Sequence, residues 1–135
     1  MEQITWTEKY SVGVARLDKQ HQRLISMINR LLAEPHATTR SESIADLLSE
    51  MTAYALEHFE TEEQMMRQCG FPRLDEHVAL HDAFQENTAQ FCLATMDGVE
   101  TVPETMRKYL VEWLTHHILE DDMAYKPFLL ERGVE

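Results

Sequence analysis

The chain has 135 residues, 12 of them basic and 24 acidic, and its formal net charge at pH 7 is −12. This length suits one domain that closes a hydrophobic core without disulfides. The acidity disfavours nucleic acid as a partner, because phosphate backbones are bound by basic surfaces. The sequence contains neither a signal-peptide pattern nor a run of roughly 18 apolar residues. With two cysteines only, we expect a cytoplasmic protein with reduced thiols and no membrane span.

The first half of the chain predicts two helices behind an extended arm. Residues 1–17 have no clear helical pattern, and we expect them to lie along the folded domain. Asp18 is a good N-cap, and the apolar residues after it predict a helix over 18–34. A Thr-x-x-Glu capping box predicts the start of a second helix over 40–69. Gly70 is the predicted C-terminal cap of that helix.

The second half predicts two more helices and a short tail. The third helix is predicted over 73–95 and the fourth over 103–121, with Pro103 in its first turn, where a missing N–H costs little. Residues 124–131 are expected to form a short helical tail. Helices joined by short connections favour antiparallel neighbours. The predicted fold class is therefore all-α: an up-down-up-down antiparallel four-helix bundle, with the arm and tail, forming one domain over 1–135.

Histidines and carboxylates recur on these predicted helices at spacings that suit a metal site. Residues four apart share a helix face, and the pairs His58/Glu62 and His77/His81 have that spacing next to apolar neighbours. Polar groups in such a core are costly to bury unless a partner such as a cation takes them up. The candidate ligands are His21, His58, Glu62, His77, His81 and His117, with a further carboxylate at Asp121 or Asp122.

The size and chemistry of this set favour two metals. Seven ligands exceed the four of a tetrahedral zinc site, whereas two metals that share two bridging carboxylates use them all. The sequence lacks both the H-E-x-x-H zinc motif and the E-x-x-H motif of ferritin-like di-iron oxidases. Imidazole and carboxylate together suit iron or zinc. Two irons fit best, in an imidazole-rich site suited to reversible redox and binding rather than to O–O cleavage.

The last carboxylate is ambiguous from spacing alone. Helical spacing pairs His117 with Asp121, and His116 with Asp121 is also possible at five residues. The apolar residues Leu110 and Trp113 set the inward face of this helix and favour His117 as the ligand. The histidines predicted to face solvent are His36 and His116.

These motifs together resemble the hemerythrin family, and specifically the single-domain bacterial hemerythrins. The resemblance covers essentially the whole chain. It includes D-x-x-H-x-x-L from Asp18, H-F-x-x-E-E from His58, H-x-x-x-H from His77, and W-L-x-x-H-I-x-x-x-D ending at Asp122. Myohemerythrin is an established example of the up-down bundle, so the fold prediction and the resemblance are not independent.

The resemblance implies two iron ions per chain, bridged by an oxo or hydroxo group and by two carboxylates. It implies Glu62 and Asp122 as those bridges, and family spacing then selects Asp122 over Asp121 if the helix distorts or ends there. It also implies that one iron keeps an open position, where dioxygen and small anions bind. The implied ligand sets are His77, His81 and His117 on the saturated iron, and His21 and His58 on the open one.

Apolar side chains within one helical turn of these ligands predict a dry pocket around the open iron, which would slow autoxidation. Outer hydrogen-bond partners for the histidines are also expected, with Asp18, Glu63 and Asp121 as candidates.

The predicted function is reversible dioxygen binding for storage, transport or delivery, without enzymatic activity. The alternatives are a sensor acting in trans, an enzyme that turns over peroxide or nitric oxide, and iron storage. The predicted pocket residues are Leu24, Phe59, Trp113, Leu114 and Ile118.

Overall fold

The structure is a computed structural model that describes residues 3–133, and every regular element in that range is helical. Residues 1–2 and 134–135 of the predicted domain lie outside the described residues, the first pair belonging to the predicted arm. Helices α1 and α2 pack together, α2 packs on α3, and α4 closes the bundle against α1 and α3. This arrangement confirms the predicted four-helix bundle. The helices are α1 Ala15–Leu32, α2 Glu42–Gln68, α3 Leu74–Met96, α4 Val102–Glu112 and α5 Lys126–Glu131.

The chain between α4 and α5 departs from α-helical geometry. A π-helical segment, Trp113–Asp121, continues α4 directly, and a 3-10 turn, Asp122–Ala124, follows it. The sequence predicts one helix over 103–121. The structure has a continuous helical segment there, but its last part is π-helical and wound more loosely than an α-helix.

Helix α1 begins three residues before its predicted start at residue 18, and Asp18 is not its N-cap. The helix begins at Ala15, and the Asp18 carboxylate accepts hydrogen bonds from the Ser11 hydroxyl at 2.6 Å and the Val12 amide at 2.9 Å. Asp18 is thus a first-turn residue that holds the arm, where its charge also suits the positive end of the helix dipole. Further along the arm, the Asn29 side chain accepts from and donates to the backbone of Ile4 at 2.6 and 2.8 Å.

The two ends of α2 show one failed and one accurate prediction of a cap. The capping box does not form, because the Thr39 hydroxyl donates to the carbonyl of Val99. The N-cap is Ser41, and its side chain makes no hydrogen bond to the helix. At the other end Gly70 has φ +69°, and the next amide, of Phe71, donates to the carbonyl of Met66 at 3.0 Å. A left-handed glycine with this bond is the Schellman motif, as the C-terminal cap prediction requires.

Two apolar clusters divide the interior. The main core is formed by α1 to α4 and includes Leu24, Tyr54, Phe84 and Leu110. The end core joins the arm, the end of α2 and the tail, and consists of Val12, Val14, Leu17, Met66, Cys69, Phe71, Tyr125 and Leu129. Among the described residues, no helix is both long and apolar enough to cross a membrane.

Candidate metal centre

The seven side chains that the sequence proposes as ligands converge inside the bundle. None of them is more than 3% exposed. Side chains of both cores border them: Phe59 of the main core stacks on His81, with ring centroids 3.9 Å apart, and Tyr125 of the end core lies 5.6 Å from His77. The polar cluster therefore lies between the main core and the end core. Its members are His21 on α1, His58 and Glu62 on α2, His77 and His81 on α3, His117 on the π-helical segment, and Asp122 directly after it.

The potential ligand atoms fall into two overlapping groups, within each of which all atoms lie within 4.8 Å of one another. Glu62 and Asp122 belong to both groups. One group therefore has three imidazoles and the other has two, with the same two carboxylates between them. The three-histidine group adds His77, His81 and His117, and the two-histidine group adds His21 and His58.

Each carboxylate faces imidazoles of both groups. Asp122 has one oxygen, Oδ1, 2.8 Å from His77 Nε2 and 3.0 Å from His117 Nε2, and the other, Oδ2, 3.1 Å from His21 Nε2. Glu62 Oε1 lies 3.0 Å from Nε2 of His58 and 3.2 Å from Nε2 of His81. Both carboxylates are thus placed where a bridge between two cations would be.

The π-helical winding places the two neighbouring aspartates differently. In a π-helix the backbone bonds join residues five apart, so His117 and Asp122 come onto one face. Asp122 is fully buried in the cluster, whereas the Asp121 side chain is 41% exposed. Asp121 instead approaches the outer nitrogen of the same imidazole, with 3.4 Å between Oδ2 and His117 Nδ1. The other two histidines, His36 and His116, are exposed, as the sequence predicts.

The donor set fits a bound cation, because many of its atoms are buried and, although they lie close to one another, form no hydrogen bond in the protein. Burying such groups unsatisfied is costly, and coordination to a metal removes that cost. Imidazole nitrogen and carboxylate oxygen together suit a borderline transition metal. The unpartnered atoms are Nε2 of His21, His77, His81 and His117, Oε1 of Glu62, and both carboxylate oxygens of Asp122.

Electrostatics keep both carboxylates ionised. Burial alone would raise the pKa of Glu62, but the surrounding imidazoles, led by His58, hold this pKa well below its usual range. Burial and Glu62 both act to raise the pKa of Asp122, and His117 and His21 outweigh them to keep it well below normal. Burial lowers the pKa of His21, yet the Asp122 and Glu62 carboxylates prevail and raise it to about 9. A buried anionic pair of this kind attracts positive charge, which a metal ion supplies.

Outer hydrogen-bond partners differ between the two groups. In the three-histidine group, a Glu63 oxygen lies 2.8 Å from Nδ1 of His81, whereas Nδ1 of His117 has Asp121 at 3.4 Å but makes no hydrogen bond. In the two-histidine group, the amide oxygen of Gln20 lies 2.6 Å from Nδ1 of His58, while Nδ1 of His21 has no partner. Such partners fix the orientation of a ligand ring and tune its basicity. Of the three predicted partners Asp18 is wrong, because it bonds to the arm.

Two polar side chains near the site were not predicted from the sequence. Gln20 adjoins His21 in the chain but bonds across to α2, and its amide nitrogen also donates to Thr61 at 3.4 Å. Tyr125 donates a short hydrogen bond from its hydroxyl to Oε2 of Glu62. Gln20 is a polar residue at a helical position that packing buries, and Tyr125 lies in the turn before α5, so the spacing within one helix predicts neither contact.

The five predicted pocket residues are all buried in the main core, beside the aromatic rings that cover the ligands. Trp113 stacks on His117 with centroids 4.0 Å apart and planes at 19°, and Tyr54 stacks on His58 at 5.0 Å and 20°. Burial raises the pKa of Tyr54 well above normal, and Glu62 and Asp122 add to the effect, so its hydroxyl keeps its proton. The apolar set is Leu24, Phe59, Trp113, Leu114 and Ile118.

Comparisons with known proteins agree with this architecture. The family model described as the hemerythrin HHE cation binding domain matches residues 12–129. The bacteriohemerythrin of Stenotrophomonas maltophilia is 30% identical over 122 residues, covering 90% of this chain and 78% of that protein. The bacteriohemerythrin of Clostridium acetobutylicum is 27% identical over 126 residues, covering 90% and 98%. A crystal structure of wild-type hemerythrin superposes with a TM-score of 0.82 at 28% identity, covering 95% of this chain and 98% of that one.

Proposed function

The chain belongs to the hemerythrin family, and from that premise we propose that it binds dioxygen reversibly at a non-haem di-iron centre. The observation that carries the proposal is the division of the buried ligand atoms into a group of five and a group of four that share both carboxylates. A pair of metals in these groups would differ by one protein ligand. The metal with fewer ligands would keep a position for a small molecule.

The proposed ligand assignment follows the two groups. Glu62 and Asp122 would bridge the irons together with an oxo or hydroxo group, since each carboxylate faces imidazoles of both groups. When bound, the two ferrous ions supply the electrons that dioxygen takes up on binding and returns on release. The assigned terminal ligands are His77, His81 and His117 for one iron, and His21 and His58 for the other.

Outer contacts would hold this arrangement in place. The hydroxyl of Tyr125, a residue of the end core, donates to Glu62 and occupies one lone pair of that carboxylate. This bond would fix the orientation of the Glu62 carboxylate. Gln20 and Glu63 orient the rings of His58 and His81 through their outer nitrogens. These contacts prepare the site for the metals, because ligands held in place need little rearrangement on binding.

The apolar side chains of the main core would make the open position dry. Leu24, Phe59, Leu114 and Ile118 are at most 2% exposed. A dry pocket keeps water and protons away from the bound molecule. This slows its release as peroxide, a release that would leave the irons oxidised. We propose binding rather than catalytic turnover on this ground. Sustained consumption of peroxide or nitric oxide with a reductant would favour an enzyme instead.

The test is spectral cycling of the iron-loaded protein. Protein reconstituted anaerobically with ferrous iron should contain two irons per chain, gain a charge-transfer band in air, and lose it again under argon. His117→Ala should abolish the cycle, because it removes a buried ligand. His116→Ala is the matched control, since that neighbouring histidine has a side chain 70% exposed. One iron per chain with iron in excess, or an irreversible change in air, would overturn the proposal.

A further inference from the structure

One buried hydroxyl near the proposed open position has no hydrogen-bond partner. Tyr54 is 1% exposed, and its hydroxyl oxygen is buried without any partner in the protein. It is the only hydroxyl among residues 3–133 that is buried and unpartnered in this way. A phenol hydroxyl placed so is unfavourable by itself, because it loses its bonds to water and gains none.

The position of Tyr54 links this hydroxyl to the two-histidine group. Tyr54 lies four residues before His58 on α2, and the two rings stack with centroids 5.0 Å apart. His58 in turn meets His21 edge-on at 4.6 Å. Tyr54 also belongs to the main core, together with all five residues predicted to line the pocket.

A comparison with the other tyrosine at the centre shows what is unusual about Tyr54. Tyr125 approaches from the end core and already donates its hydroxyl proton to Glu62. Tyr54 approaches from the main core with its proton uncommitted. The centre thus has one tyrosine hydroxyl occupied by Glu62 and one free beside the two-histidine group. The other unpartnered donor of the main core, the indole N–H of Trp113, belongs to a ring that stacks on His117 in the three-histidine group.

We propose that the Tyr54 hydroxyl donates a hydrogen bond to a small anionic or dioxygen-derived molecule bound at the open position of the two-histidine metal. This inference rests on the proposed function. The hydroxyl then determines specificity: in a pocket lined mainly by apolar side chains, it favours ligands that carry negative charge and accept a hydrogen bond. Hydrogen bonds to charged acceptors are stronger than neutral ones, and a site with a buried donor disfavours ligands that leave it unpaired.

The experiment uses azide as the probe on the diferric protein and compares Tyr54→Phe with the wild type. The azide dissociation constant, read from its charge-transfer band, should rise about tenfold in Tyr54→Phe. The melting temperature of the metal-free variant should be unchanged or higher, because Phe removes an unpartnered hydroxyl. The control is Tyr109→Phe, which removes a hydroxyl from a half-buried tyrosine packed against the same core, and should leave azide affinity unchanged.

Ultraviolet resonance Raman spectra supply a readout that a purely structural role would not produce. Azide should perturb the tyrosine bands of wild type and Tyr109→Phe but not of Tyr54→Phe. Unchanged azide affinity in Tyr54→Phe with two irons retained would overturn the inference, and so would a lowered melting temperature with lost iron. Tyr54→Leu, which also lacks the hydroxyl, serves as a second variant and should show the same loss of azide affinity. If the azide results hold but the wild type shows no reversible change in air, the proposed function fails while this inference stands.

Discussion

The two halves of the metal centre are built with different outer contacts. In the three-histidine half, carboxylates back two of the rings, with Glu63 at His81 and Asp121 at His117. In the two-histidine half, the neutral amide of Gln20 backs His58, and the outer nitrogen of His21 has no partner. A carboxylate behind an imidazole raises its basicity as a ligand more than an amide does. We therefore expect a metal in the three-histidine half to be the more firmly held of the two.

The pKa values of the histidines do not divide in the same way between the two halves. Burial would lower the pKa of His117, but Asp122 and Asp121 outweigh burial and raise it to about 10. Burial prevails at His58 despite the nearby Glu62, and its pKa is lowered. In the same half, however, the Asp122 and Glu62 carboxylates outweigh burial at His21 and raise its pKa to about 9. The lesson is that two groups of ligands can share two carboxylates and still differ in the side chains that lie behind their histidines.

The largest expected effect comes from removing the carboxylate shared by both halves. Asp122→Ala should abolish binding of two irons and the oxo-to-iron absorption band, because Asp122 faces both halves from a fully buried position. Asp121→Ala is the control, since it removes only an outer contact to His117. It should retain both irons when iron is in excess. Two irons with an unchanged band in Asp122→Ala would refute the bridging assignment.

A smaller effect separates the outer contacts of the two halves. Glu63→Ala should weaken iron binding by about 10- to 100-fold, the usual range for losing an outer carboxylate partner of a ligand. Gln20→Ala should weaken it less, because the lost partner is neutral and His58 keeps its contact with Glu62. Competition with a calibrated ferrous chelator measures both. Equal losses, or a larger loss in Gln20→Ala, would remove the contrast between the halves.

The smallest effect concerns the pocket on the side of the main core. Leu114→Asn should speed autoxidation several-fold in air without changing iron content, because an amide admits water to a dry site. The change buries a polar group, so its melting temperature is measured alongside. Leu56→Asn is the control, since Leu56 on α2 is 62% exposed. Indistinguishable autoxidation rates for wild type and Leu114→Asn would contradict a protective role for the pocket.

Much of the site follows from helical spacing alone. His58 with Glu62, and His77 with His81, lie four apart on amphipathic helices, and this spacing is enough to place each pair on an inward face. The same rule pairs His117 with Asp121. It places Asp122 outside the cluster, because the rule assumes α-helical winding and this segment is π-helical. Only the resemblance to a known family pointed to Asp122.

The contacts between helices were the least predictable from sequence. The bond between Gln20 and His58 joins residues 38 positions apart, and that between Tyr125 and Glu62 joins residues 63 apart. Such pairs depend on how helices are rotated and displaced against each other, which periodicity does not encode. Asp18 shows the same limit locally, since its carboxylate bonds to the arm rather than capping α1.

The most direct test of the account is a Mössbauer measurement on protein loaded with iron-57, with and without azide. We expect two irons per chain in two unequal environments, with azide altering the signal of only one of them. That result would follow from one metal saturated by three histidines and another left with an open position. Two equivalent irons, an equal response of both to azide, or a single iron per chain would contradict it.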